Sequence, residues 1–145
     1  MGQKNYECSI LADTTLTDAF ESIANGVNEW WAKNFEGSSG AEGDEFIVRF
    51  GTTWVKFKIS AYIPTQKIEW LVVDCFLPFI NHKTEWTGTR IVFEFEQKGK
   101  QVQIKMTHVG LVPEAECYNM CKAGWDGHLK TSLYSLLTKG VGEPQ

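Results

Sequence analysis

No stretch of this sequence approaches the roughly 18 consecutive apolar residues needed to cross a bilayer, so membrane insertion is not expected. The opening residues Met1-Gly2-Gln3-Lys4-Asn5 form no hydrophobic signal segment, which makes the cytoplasm the expected location. Met1-Gly2 invites N-myristoylation, but Tyr6 stands where that motif wants Ser or Thr. Positive charge is also scarce. The 14 Lys and Arg are outnumbered by 18 Asp and Glu, and the net charge of −4 with no basic stripe argues against a nucleic-acid partner. Motifs of group-transfer chemistry are missing too: there is no Ser nucleophile motif, no P-loop and no dinucleotide fingerprint.

Cysteine is limited to four residues: Cys8, Cys75, Cys117 and Cys121. Without a secretory signal these are expected to be reduced thiols that pack as small core residues, not a disulfide frame. Cys117 and Cys121 lie one helical turn apart with His128 nearby, but no fourth ligand is within reach, so no metal is expected. Nothing in the pattern calls for a cofactor.

What the sequence has in quantity is aromatic side chain, with six Trp and nine Phe in 145 residues. That length suits a single domain, taken as residues 1–145, with a substantial core. Hydrophobic and charged fractions of 43% and 22% are those of an ordinary globular protein. Six runs alternate like strands. Tyr6 to Leu11 comes first; Glu45 to Phe50, Trp54 to Ile63, Lys67 to Cys75, Thr89 to Glu96 and a run from Val102 to His108 follow at hairpin-like intervals. Each run keeps one polar face, so the sheet should be antiparallel with one side in water.

Between the first two runs, Thr15 and Asp18 resemble a capping box that opens a helix ending at Asn25-Gly26. A short second helix carries Val27, Trp30 and Trp31, and residues 36–43 read as the most mobile loop, without a core-forming residue. The chain closes with a long helix expected from Pro113 to Gly140, about 40 Å at ~1.5 Å per residue. Tyr118, Cys121, Trp125, Leu129, Leu133 and Leu136 mark its apolar stripe. The order β-α-α-β-β-β-β-β-α gives an α+β fold: a curved antiparallel sheet of about six strands wrapped on the C-terminal helix.

Several short segments carry a resemblance. Glu85-Trp86-Thr87-Gly88-Thr89, then Phe93-Glu94, His108-Val109-Gly110-Leu111, Gly124-Trp125 and the Leu-rich end up to Gly140 follow one another along the chain, with Trp30-Trp31 before the loop. In order and spacing they resemble the activator of heat-shock-protein-90 ATPase homologue family (C-terminal-domain-like). That family belongs to the START-like (SRPBCC) superfamily, which includes polyketide cyclases and lipid-transfer domains. The resemblance covers nearly the whole chain and implies a helix-grip fold with a cavity between sheet and helix; it implies no single activity. The eukaryotic co-chaperone carries an additional N-terminal domain that this chain is too short to contain, so a chaperone partner is not expected.

The inward positions then define a candidate ligand-binding wall. From strands come Val55, Phe57, Trp70, Ile91, Phe93, Met106 and His108, and from the helix Trp125 and Leu129. Trp30 or Trp31 closes one end, and Phe79 or Trp86 the mouth. The alternative is that these aromatics simply fill the core. His108 sits among Ile104 and Met106, either as a satisfied structural histidine or as a ligand anchor, acid or base. Asp74 shares parity with Trp70 and Val72, so it is either an inward partner of His108 or a solvated residue at the strand end.

Three functions follow. The leading expectation is a non-catalytic protein that binds a hydrophobic or amphipathic small molecule. The second is a cyclase- or dehydratase-like enzyme using His108 and Asp74. The third is a co-chaperone-like interaction module, or a homodimer, using an exposed patch of Trp54, Phe76, Leu77, Phe79 and Ile80.

Overall fold

The computed structural model describes residues 4–145; Met1-Gly2, where lipidation would occur, lies outside the described residues. The first strand, β1 (Tyr6–Ala12), alternates buried and exposed residues along its whole length. Helix α1 (Leu16–Ala24) follows, its Thr15 Oγ1 accepting from Asp18 N at 3.0 Å, and α2 (Val27–Trp30) comes directly after. Six strands then run through β2 (Asn34–Gly37), β3 (Glu45–Phe50), β4 (Thr53–Ile63), β5 (Lys67–Phe76), β6 (Arg90–Lys98) and β7 (Gln101–Val109). All seven strands form one antiparallel sheet in the order β1-β7-β6-β5-β4-β3-β2.

The fold is the expected helix-grip, with one strand more than the six read from alternation. The additional strand, β2, is four residues at the sheet edge with only Phe35 partly buried. Its pairing with β3, Phe35 opposite Val48, is a long-range event that local periodicity does not record. The loop after it is also better anchored than its composition suggests. Ser39 is buried and donates to Ala24 O at 2.6 Å, while Gly40 N donates to the Asp44 carboxylate at 3.1 Å.

The C-terminal helix is made of three pieces: α3 (Tyr118–Gly127), a π-helical segment (His128–Leu133) and α4 (Tyr134–Lys139). It starts five residues later than Pro113-Glu114 suggested, because residues 113–117 turn instead of winding, and it spans about 33 Å at ~1.5 Å per residue. Gly140 closes it at φ 80°, a left-handed position that suits glycine. Trp125, Leu129 and Leu133 are each buried against the sheet and the two short helices, worth about 1.5–3 kcal/mol apiece. In the π-helical segment the buried Ser132 donates to Trp30 O at 2.6 Å and accepts from Glu143 N at 2.7 Å. This ties the helix to α2 and to the tail.

Most of the concave face is solid. Trp31 stacks on Trp70 at 5.7 Å and meets Trp125 at 5.0 Å; Trp70 in turn packs on Phe93 at 4.8 Å, and Phe46 on Phe57 at 4.9 Å. Such offset and edge contacts add stability beyond the area they bury.

Candidate functional site

The aromatic packing stops at one end of the helix and leaves an open cavity of about 290 Å³. Trp31 forms its floor. The ends of β3 and β4 contribute Phe50, Thr53 and Val55 on one side, and α3 contributes Met120, Cys121, Gly124 and Trp125 on the other. Leu77, Phe79 and Trp86, from the β5–β6 connection, form the outer wall. Polar atoms come from Thr53, Gln145 and His128, whose imidazole burial pushes below its ordinary value of 6.5.

Two carboxylates hold the outer wall in place. Glu85 accepts from Glu116 N at 2.7 Å and Cys117 N at 3.1 Å, capping α3 from another element. Glu116 reciprocates, accepting from Asn81 N at 2.7 Å and His82 N at 2.9 Å; those two bonds hold its carboxyl below the usual range. The free amides at the start of α3 are therefore satisfied by Glu85, a residue more than thirty positions earlier in the chain. Phe79 projects at the rim, 44% exposed beside Met120 at 58%.

The structure separates the twelve residues of the candidate wall. Val55, Phe79, Trp86 and Trp125 line the cavity. Trp30, Phe57, Trp70, Ile91, Phe93, Met106, His108 and Leu129 are buried in the filled core instead. The reason is Trp31: its indole occupies the space between sheet and helix that the wall residues would otherwise enclose. The wall expected from the sequence left out Phe50, Met120 and His128. The last had a usable signal, since Cys121, Trp125 and His128 follow at steps of four and three on one helix face.

His108 is completely buried and its hydrogen bonds specify its tautomer. Trp125 Nε1–H donates to Nδ1 at 3.1 Å, so Nδ1 carries no proton and Nε2–H donates to Thr89 Oγ1 at 2.9 Å. The Thr89 hydroxyl in turn donates to Trp86 O at 2.6 Å. With no acceptor left for a second proton, burial pushes the imidazole down to about 3. This chain joins α3, β7 and the loop that precedes β6 through one ring.

Asp74 is not its partner. A β-bulge opposite Lys56 and Phe57 inserts one residue in β5, so Val72 faces in, Asp74 is exposed and Cys75 faces in again. The Asp74 carboxylate accepts from Cys75 N at 2.9 Å, and it lies on the sheet face opposite the imidazole. The predicted apolar patch also dissolves: Leu77 and Ile80 are buried, Trp54 and Phe76 half-buried, and Phe79 alone of the five is exposed.

Cys117 and Cys121 differ from expectation as well. They are joined as a disulfide with Cα atoms 5.6 Å apart, whereas Cys8 and Cys75 are free and buried. Among the described residues no cluster of three or more His, Cys, Asp or Glu is arranged for a metal, and no helix is long and apolar enough to cross a membrane.

The same architecture occurs in solved structures. The chain superposes on the solution structure of the Aha1 dimer from Colwellia psychrerythraea with a TM-score of 0.80 at 23% identity, covering 96% of this chain and 99% of that one. It is similar to protein SSP2350 from Staphylococcus saprophyticus (TM-score 0.71, 15% identity, 97% and 96% covered) and to MLL2253 from Mesorhizobium loti (0.70, 12%, 88% and 92%). No curated protein is significantly similar to the chain. The model of the family described as "Activator of Hsp90 ATPase homolog 1-like protein" matches residues 15–138, nearly all of the helix-grip just described, and the chain belongs to that family.

Proposed function

We propose that this protein binds a small, largely apolar and flat molecule in the cavity beneath α3. The observation that carries the reading is the cavity itself: about 290 Å³, walled by Trp31, Phe50, Trp86 and Trp125, with the polar groups of Thr53 and His128 at its edge. Its size is at the small end of the roughly 300–1,000 Å³ typical of ligand pockets, which favours a compact ring system over a long lipid chain. Few polar groups among aromatic walls provide orientation without chemistry. The enzyme reading loses its support, because the His108 imidazole has both nitrogens engaged and Asp74 faces away from it. A homodimer remains compatible with this site: Phe79 and Met120 form an exposed apolar rim, and the Colwellia relative is a dimer.

Gly124 provides the test. A Cβ built there meets nothing within 4 Å, and the residue lines the cavity, so Gly124→Leu adds bulk at the cavity wall without displacing backbone. Titration with 1-anilinonaphthalene-8-sulfonate, followed by its fluorescence and by quenching of the cavity tryptophans, should show saturable binding to the parent and at least a tenfold loss in Gly124→Leu at an equal or higher melting temperature. Equal binding by the two proteins would place the probe elsewhere and remove the reading. Native mass spectrometry of the purified protein then identifies any retained compound and reports the oligomeric state.

A further inference from the structure

The geometry points to Cys121 as a thiol-exchange site, at which a low-molecular-weight thiol opens the Cys117–Cys121 disulfide through the cavity, with Cys117 as the resolving sulfur. The inference uses the cavity as an entry path and does not depend on any ligand occupying it.

Three observations carry it. First, the two sulfurs differ in access: Cys121 lines the cavity at 8% exposure, while Cys117 is 1% exposed behind it. Exchange requires in-line approach of a thiolate to one sulfur, and only Cys121 presents a face to open space. Second, Cys117 is equipped to leave. Trp86 Nε1–H donates to Cys117 Sγ at 3.3 Å, a bond that strengthens as negative charge develops on the sulfur. The Glu85 carboxylate opposes this through its bond to Cys117 N, but it is engaged with two backbone amides, and no Lys or Arg lines the cavity. Third, the bridge is a poor staple. It closes a separation of only four residues within the start of one helix, and removes less unfolded-chain entropy than a long-range bridge. The elements that dock α3, namely the Glu85 cap, the His108 bond and the Tyr6 hydroxyl donating to Asp126, do not use it.

The chemistry balances without an outside oxidant. A thiolate RS⁻ attacks Cys121 Sγ, forming an RS–Cys121 bond as the Cys117–Cys121 bond breaks, and the electron pair leaves on Cys117 and is protonated from solvent. A second RS⁻ attacks the mixed disulfide, releasing RSSR and the Cys121 thiolate. The protein disulfide is reduced by two electrons and two thiols are oxidised. Starting from RSSR, the same steps run backwards: Cys121 takes up RS and Cys117 displaces it.

Glutathione is the probe. The native protein is equilibrated at several ratios of reduced to oxidised glutathione, alkylated, and mapped by peptide mass spectrometry. The pair should interconvert between disulfide and dithiol across that range, with glutathione found on Cys121, while the buried Cys8 and Cys75 stay unmodified without denaturant. With oxidised glutathione, Cys117→Ser should accumulate an adduct at Cys121 at least tenfold faster than Cys121→Ser acquires one at Cys117. A pair that is reduced only in denaturant, a pair that never oxidises, or glutathione carried on Cys117 would each overturn the assignment. If a variant does not fold, the mapping on the parent protein decides by itself.

Discussion

Replacing His108 by Gln should flatten the acid sensitivity of this fold. The imidazole is held neutral, at about 3 against an ordinary 6.5, by burial. Between those values the unfolded chain binds one proton more than the folded one, so stability falls as pH falls. The loss begins near pH 6.5, grows by about 1.4 kcal/mol per pH unit, and is complete near pH 3. It amounts to about 2 kcal/mol at pH 5 and about 3 at pH 4, a large part of the ~5–15 kcal/mol that stabilises a typical domain. Gln can accept from Trp125 Nε1–H and donate to Thr89 Oγ1, the two bonds the imidazole makes, but it does not titrate. The partly buried His128 drives stability in the same direction, yet it is present in both proteins and cancels in the comparison. Urea denaturation of parent and His108→Gln at pH 7, 6, 5 and 4 reads the difference. The parent should lose about 2 kcal/mol more than the variant between pH 7 and 5. Parallel profiles would show that His108 takes up its proton within the fold, and would refute the tautomer assigned from its hydrogen bonds.

Two further changes test how the helix is built. Gly127→Ala, at a helical position with open space around the added Cβ, should stabilise the protein by about 0.5–1 kcal/mol, read as a raised thermal midpoint; a lowered one would mean the glycine is needed for backbone freedom. Glu85→Ala removes the cap on Glu116 N and Cys117 N and should cost about 1 kcal/mol, a melting-temperature drop of about 2–4 °C. The same variant should also weaken probe binding, because it frees the loop that carries Trp86; unchanged binding would show that the loop is held by its other contacts.

What the sequence determined by itself is whatever a side chain's near neighbours can record. Alternation placed β1 and β3 to β7, the Thr15–Asp18 spacing opened α1, the i, i+4 stripe marked α3, and Gly140 ended the helix. The density of aromatic residues announced a large core. Those signals arise from burial of one face of an element, a property written at periods of 2 and 3.6 along the chain. Tertiary structure alone decided the rest. The edge pairing of β2, the cap that Glu85 lends to a helix thirty residues on, and the Trp125–His108–Thr89 chain all join residues far apart in sequence. One inserted residue in β5 reversed the face of Asp74, because strand parity is lost at a bulge. Alternation shows that Val55, Phe57 and Trp70 point inward; it does not show that the Trp31 indole lies among them. Whether inward aromatic surface becomes core or cavity depends on how side chains from several elements share one volume, and that volume exists only once the sheet has closed on the helix.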